Sequence, residues 1–301
     1  MPSTPLETRR IGAFLLVTFG VSWMTGAVLW ATGGLVDSPE VVGPLTLAAL
    51  LLPTAYMFGP AVGNVAARLL TGEGKRRLML RPDVDGAVRT YAAMWLLPAA
   101  LTVVGGATYF LAFPSQFSPG LSQFRTTLAS AGAAGLDART VAAIQILAAV
   151  TVAPLLNVVV TFGEEFGWRA YLLPKLRPLG ERRAAVAVGV VWGVWHWPII
   201  AMGHNYGLDY PGAPWTGMVA FVAFTVSVGV LLAWATLREG SVWSAALGHG
   251  AVNAGGGLPL LFLGGSSRPL LGPAPTGLLA VVPFVAAAGW LLARSPTLAG
   301  D

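Results

Sequence analysis

Two adjacent carboxylates and an arginine interrupt an otherwise apolar stretch of the sequence at residues 161–169. Glu164 and Glu165 follow the run 144–162, which contains no charged residue. Arg169 comes four residues after Glu165, so their side chains can pair on one face of a helix. A charged side chain in hydrocarbon costs roughly 3 kcal/mol or more, so residues of this kind are functional candidates by default.

Few other strongly polar side chains lie within apolar runs, and three of them have side chains that suit catalysis. His196 ends one such run, and His249 and Asn253 are four residues apart, so these two share a helical face. A carboxylate such as Glu164 and an imidazole can together deprotonate water. A second imidazole and a carboxamide can donate hydrogen bonds to a developing oxyanion. These groups suffice to hydrolyse a peptide bond without a serine or cysteine nucleophile.

A metal site is the alternative chemistry for the same residues. Glu164, His196 and His249 could hold a zinc-like divalent metal whose bound water acts as the nucleophile. Spacing does not separate the two mechanisms, because the three side chains come from different helices. The soluble metalloprotease pattern, with two histidines at i and i+4 flanking a glutamate, is absent from the sequence. Cysteine is absent too, which excludes thiolate chemistry and thiolate ligands.

The elements that carry these residues are predicted to be transmembrane helices. Only 10% of the 301 residues are charged and 55% are hydrophobic, with a mean hydropathy of +0.70. The expected fold class is therefore an all-α polytopic membrane protein. A transmembrane helix needs about 20 largely apolar residues. By that criterion the sequence predicts about eight spans, at 11–33, 42–70, 90–113, 140–173, 184–203, 214–237, 241–264 and 275–293.

The basic residues favour one orientation of these spans. If the N-terminus is cytoplasmic, 15 of the 18 Lys and Arg residues fall in cytoplasmic segments, which is the distribution that the positive-inside rule expects. An even number of spans then places both termini in the cytoplasm. The net charge of +5 is accounted for by these short loops rather than by nucleic-acid binding. The predicted location is the plasma membrane, with the lipid bilayer as the main partner.

The predicted spans bring the polar residues to a common depth. Glu164, His196 and His249 lie eleven, thirteen and ten residues from charged residues that mark the cytoplasmic boundary. At about 1.5 Å per residue these separations are about 15–20 Å. Three separate helices therefore contribute to one site, nearer the cytoplasmic face.

Three short motifs resemble those of the CPBP family, which comprises CAAX proteases and bacteriocin-processing enzymes and is also called the ABI family. Residues 164–169 read EEFGWR and match its EExxxR motif. Residues 192–196 read WGVWH and resemble its second motif, an aromatic residue four positions before a histidine, with Trp192 where phenylalanine is usual. Residues 249–253 read HGAVN and match its HxxxN/D motif. The motifs occur in the family's order within residues 140–264.

The resemblance implies an intramembrane endopeptidase with an eight-helix bundle, whose substrate is a peptide or a membrane protein. Glu164 would activate water with the assistance of His196, and His249 and Asn253 would form the oxyanion site. Members of the family have been described both as metalloproteases and as metal-independent glutamate proteases, so the resemblance leaves the metal open. Relatives in eukaryotes and archaea are linked to cutting prenylated C-terminal tails.

The remaining motif residues are assigned a supporting role by the same resemblance. Glu165 and Arg169 would shape the site through their pairing, although a purely structural salt bridge is an equally good interpretation of that pair. His204 follows the fifth predicted span and is expected at the surface.

The domain organisation expected is one membrane domain in three parts. Residues 1–139 would form the first three helices and their loops, 140–264 the catalytic helices, and 265–301 the last helix and tail. Two other functions remain open from the residues alone. A proton-coupled transporter could use the buried Glu and His as a relay, although no internal repeat of the transporter type is found. An immunity or scaffold protein could keep the site and act by binding a partner.

Overall fold

The helices predicted from the apolar runs are present in the structure. A computed structural model describes residues 5–82 and 84–299, which are predominantly helical. The only sheet within these residues is a short antiparallel pair, Glu40–Val42 with Leu45–Thr46. The predicted all-α class is confirmed, and the apolar helices make this an integral membrane protein.

The first three predicted spans correspond to long helices, of which the second is interrupted. Pro53 lies within a π-helical turn and Pro60 at the start of the following helix, and both prolines lack the backbone N–H that a continuous helix would use. The helices are α1 (Thr8–Ala31), α2 (Leu47–Leu51) with its π turn (Leu52–Tyr56), α3 (Gly59–Thr71) and α4 (Val84–Ala112).

The fourth predicted span is bent near its middle. Its two halves meet at Thr151 at an angle of 53°, next to Pro154, whose ring cannot continue a straight helix. The carbonyl of Val150 at the bend accepts a hydrogen bond from the Trp95 indole of α4 at 2.9 Å. The elements here are α5 (Ser122–Ser130), α6 (Ala138–Val150), α7 (Val152–Gly167), a π turn (Trp168–Leu172) and α8 (Leu173–Leu176).

The last four predicted spans correspond to one long helix and three shorter ones. One helix ends at Trp195, three residues before Pro198, and another ends at Gly255, within the glycine run 255–257. The elements are α9 (Glu181–Trp195), α10 (Trp197–Ala201), α11 (Trp215–Glu239), α12 (Trp243–Gly255) with a 3₁₀ turn (Leu258–Phe262), and α13 (Val282–Arg294).

Helix length therefore differs from the prediction of eight spans. Among the described residues, four helices are long and apolar enough to cross a membrane, or five if the bent pair counts as one span. Every predicted span contains a helix, but those of the fifth, seventh and eighth are only 15, 13 and 13 residues long. Proline and glycine shorten the fifth and seventh, which are the helices that carry the polar motif residues.

Helix α11 forms the centre of the bundle. In its most apolar 18-residue stretch 72% of the residues are buried, whereas in the corresponding stretch of α1 only 22% are. Helices α9, α12 and α13 pack around α11, and α7 packs on α12. Contact between α9 and α11 is very close at Gly189, where a Cβ atom would lie 2.6 Å from the Cα of Val226. Glycine therefore lets α9 approach α11 and brings the start of the second motif into the core.

Candidate active site

Glu165 connects two of the motif-bearing helices. Its Oε1 atom accepts a hydrogen bond from Arg169 Nη1 at 2.9 Å, and the same oxygen lies 2.9 Å from His249 Nδ1. The pairing expected from the four-residue spacing is therefore present, and it reaches from α7 to α12. One turn earlier the Thr161 hydroxyl donates to the carbonyl of Ala246 at 2.8 Å. These contacts fix the register between the two helices.

Glu164 points to a different environment from its neighbour. It lines a cavity of about 440 Å³, which Glu165 does not. Its Oε2 atom accepts a hydrogen bond from the Trp192 indole at 2.6 Å. Among the described residues this is the only protein hydrogen bond to the Glu164 carboxylate, so Oε1 is available to a molecule in the cavity. The two adjacent carboxylates thus differ in what they can contact.

Trp192 contacts most of the polar groups of the site. Besides its bond to Glu164, its ring lies under the Arg169 guanidinium, with 4.7 Å between the guanidinium carbon and the ring centroid. The ring also packs nearly perpendicular to that of His249, with centroids 5.0 Å apart. The motif predicts only an aromatic side chain here. The indole N–H, which phenylalanine lacks, is the signal that indicates this additional role.

His196 lies at the junction between α9 and α10. Its Nδ1 atom is 2.8 Å from the carbonyl oxygen of Trp192. A carbonyl only accepts, so Nδ1 carries the hydrogen and Nε2 is left as an acceptor. The ring packs against Trp195 and Phe221, each at a centroid distance of 4.6 Å. His196 therefore has a defined orientation at the cavity wall.

The four predicted catalytic residues line the same cavity. Asn253 is exposed and lies one turn after the buried His249 on α12. Glu164 and His196 complete the set from α7 and from the end of α9. Glu165 and Arg169 lie behind this wall, fully buried. The structure therefore brings together all of the residues that the motifs nominate.

His204 was expected at the surface, and that expectation is wrong. The side chain is only partly exposed and lines the same cavity as the motif histidines. The short helix α10 turns the chain back over the cavity, a path that residue spacing does not predict.

The side chains nominated as metal ligands do not form a ligand set in this arrangement. In the part of the chain that the structure describes, no group of three His, Cys, Asp or Glu residues could hold a metal ion. The atoms that these three residues leave free of protein hydrogen bonds are Glu164 Oε1 and the Nε2 atom of each histidine.

Helices of this apolarity, packed around a largely apolar cavity that contains a few polar groups, define a polytopic membrane protein with an internal site. Residues 143–255 match the family model described as type II CAAX prenyl endopeptidase Rce1-like. A CAAX prenyl protease 2 of Methanococcus maripaludis is 29% identical over 87 residues, which cover 28% of this chain and 31% of that relative. The resemblance predicted from the three motifs is confirmed for this segment, which extends from α6 to the end of α12.

Proposed function

We propose that this protein is an intramembrane endopeptidase in which Glu164 activates the water that cleaves a peptide bond. The observation that carries the proposal is the convergence of Glu164, His196, His249 and Asn253 on one cavity from three parts of the bundle. The Rce1-like match over the helices that supply them supports the same reaction type.

Water is activated on the Glu164 side of the cavity. The free oxygen of the Glu164 carboxylate accepts a proton from water, and the unprotonated Nε2 of His196 accepts a second hydrogen bond from the same molecule. The water oxygen forms a bond to the substrate carbonyl carbon. The carbon–nitrogen bond then breaks, and Glu164 returns its proton to the leaving amine. The acid product keeps the water oxygen, so atoms and charge balance.

The oxyanion forms on the other side of the cavity. The Asn253 amide donates one hydrogen bond. His249 already uses the hydrogen on Nδ1 toward Glu165, so its Nε2 donates only when the ring is an imidazolium. Proton transfer moves one negative charge from Glu164 to the oxyanion, so the step leaves the net charge of the site unchanged.

The substrate class proposed is a peptide chain or a membrane protein. The name of the archaeal relative points to prenylated C-terminal tails, so farnesylated and unmodified tails are both suitable probes. Cleavage is proposed at the depth of Glu164, in the cytoplasmic half of a plasma-membrane protein whose termini are both cytoplasmic.

The test is peptide cleavage by purified protein in lipid nanodiscs. A quenched-fluorescence decapeptide library, with and without farnesylated tails, is incubated with wild type, Glu164→Gln and Glu40→Gln. Loss of the general base is expected to lower the rate roughly 100-fold or more. Glu40→Gln, an exposed control on the short sheet, should match wild type. Equal cleavage by Glu164→Gln would refute the proposal.

Chelation tests the mechanism separately from the activity. Because the described residues contain no group of three His, Cys, Asp or Glu side chains that could hold a metal ion, we expect wild type dialysed against EDTA to keep its cleavage rate. Metal content measured on the same sample provides the control for removal. A loss of activity that zinc restores would contradict a reaction carried by the side chains alone.

A further inference from the structure

All three histidines of the chain line one cavity. Two of them, His196 and His249, belong to the family motifs. His204 belongs to none, and the mechanism above does not use it. A third imidazole beside two that are nominated for catalysis requires its own explanation.

The position of His204 is fixed by the way α10 ends. Gly203 adopts a left-handed conformation, with φ +91°, that reverses the chain. The backbone N–H of His204 then donates to the carbonyl of Ile199 at 3.0 Å, which is the usual closure of a helix end. Two residues later the Tyr206 hydroxyl donates to the carbonyl of Thr276 at 2.8 Å. Residues 202–210, here called the mouth loop, are thereby tied to a second loop that also lines the cavity.

The His204 ring is available for a ligand. Within the described residues, neither of its ring nitrogens has a hydrogen-bond partner in the protein. Burial lowers the pKa of His204 to about 4, so the ring is neutral at physiological pH. A neutral imidazole presents one donor and one acceptor. That pair suits a peptide backbone, whose N–H and C=O groups alternate, and the neighbouring apolar walls suit its side chains.

The exposed part of the cavity lining lies at one end of the bundle. Four lining residues are exposed: Asn205, Asn253, Gly257 and Leu260. They lie where α12 ends and shortly before α11 begins. The basic loops that precede α4 and α9, containing Lys75 and Arg177, lie at the opposite ends of their helices. The cavity therefore opens away from the basic loops.

We propose that the substrate peptide enters through this opening and that His204 is a positioning residue that hydrogen-bonds to its backbone. The inference rests on the proposed peptidase function and adds an entry side and a binding residue. With the orientation that the basic residues favour, the opening faces away from the cytoplasm, although the reacting carboxylate lies in the cytoplasmic half. The cavity therefore extends from Glu164 in the cytoplasmic half of the protein to an entrance in the opposite half.

Kinetics of His204 variants test the binding role. Loss of one hydrogen bond in His204→Ala is expected to raise KM roughly five- to tenfold while kcat stays unchanged. His204→Gln, which keeps a donor and an acceptor, should recover most of the loss. The thermal midpoint is measured for each variant to verify folding. An unchanged KM would overturn the inference, and so would a fall in kcat alone, since that would make His204 a catalytic residue.

Cysteine labelling tests the entry side without any turnover. The chain contains no cysteine, so Asn205→Cys and Lys75→Cys each carry a single thiol, and both positions are exposed. In sealed vesicles of known orientation, a membrane-impermeant maleimide should label the two variants from opposite sides. The cleaved decapeptide should protect Asn205→Cys in a Glu164→Gln background and leave Lys75→Cys unprotected. Labelling of both variants from the same side, or no protection of Asn205→Cys by the peptide, would overturn the inference. If wild type cleaves no peptide, the proposed function fails instead.

Discussion

The hydrogen bond from Trp192 to Glu164 distinguishes this site from one with phenylalanine at position 192. An N–H donor at 2.6 Å orients the carboxylate and leaves its other oxygen facing the cavity. A hydrogen bond to an ionised carboxylate is stronger than one between neutral groups. The residue that the motif describes only as aromatic thus determines how the nominated base is presented.

Replacing Trp192 with phenylalanine tests this role. Trp192→Phe keeps an aromatic ring against Arg169 and His249 but removes the donor, so we expect kcat to fall roughly tenfold or more. The thermal midpoint should change less than kcat. Trp197→Phe is the matched control, because in the described part of the chain its indole N–H has no partner. Equal activity of the two variants would contradict a positioning role for the Trp192 N–H.

The sequence predicted which residues form the site, but not all of the contacts between them. The Glu165–Arg169 pair follows from spacing within one helix. The gathering of Glu164, His196 and His249 follows from equal depth. The bond from Trp192 and the position of His204 depend on how separate helices rotate and where α10 turns, and neither rotation nor turn direction is encoded in residue spacing.

The break between α9 and α10 is the element that presents His196, and helices from the first half of the chain stabilise it. Proline at 198 interrupts the helical hydrogen bonds, and the N–H of Ile199 bonds to His196 instead of Trp195. The carbonyl of Trp195 is satisfied from outside the helix. It accepts from the Tyr56 hydroxyl at 2.6 Å and from the Trp23 indole at 3.1 Å.

Tyr56→Phe tests this support. Removal of a buried donor leaves the Trp195 carbonyl with one partner, which is expected to cost about 0.5–1.5 kcal/mol. We expect a lower thermal midpoint and a reduced kcat, because His196 follows the affected carbonyl. Trp23→Phe removes the second donor, and the double variant should lose more than the sum of the two. Purely additive effects would show that the two donors do not share one function.

The positions of the helices were predictable because apolar runs mark helices, but the lengths of the helices were not. The run 184–203 contains enough apolar residues for a span, yet Pro198 divides it into α9 and α10. In 241–264 the glycines at 255–257 end α12 early. These breaks place His196 and Asn253 near helix ends that line the cavity.

On the scale of the whole molecule, the match to known proteases covers only residues 143–255, but residues outside that segment also contact the site. An ion cluster, located outside the predicted spans, joins the matched segment to the part of the chain that precedes it. Glu73, just after α3, accepts from Lys175 at 2.7 Å, and Lys175 also binds Glu7 at 2.8 Å. The cluster connects the start of α1, the end of α3 and α8.

The pH dependence of stability tests this cluster. Burial alone would raise the pKa of Glu73, but its bond to Lys175 and the charges of Arg68 and Arg10 hold that pKa below its usual value. A lowered carboxyl pKa contributes stability that is present above the unfolded pKa, about 4.3, and lost as pH falls through the folded value. Glu73→Gln should therefore lower the thermal midpoint at pH 7 and have no effect once Glu73 is protonated in wild type. Glu40→Gln, which is exposed, should show neither effect.

The volume of the cavity determines how many water molecules it can hold beside the substrate site. At about 30 Å³ per molecule, 440 Å³ corresponds to roughly 15 waters. Hydrolysis consumes one of them. Aromatic walls such as Phe221 and Phe224 hold solvent weakly, whereas the Glu164 carboxylate holds it strongly. A bound peptide with bulky apolar side chains would displace water from the aromatic walls and leave water bound at the carboxylate. Selectivity for such side chains would then follow from solvent displacement.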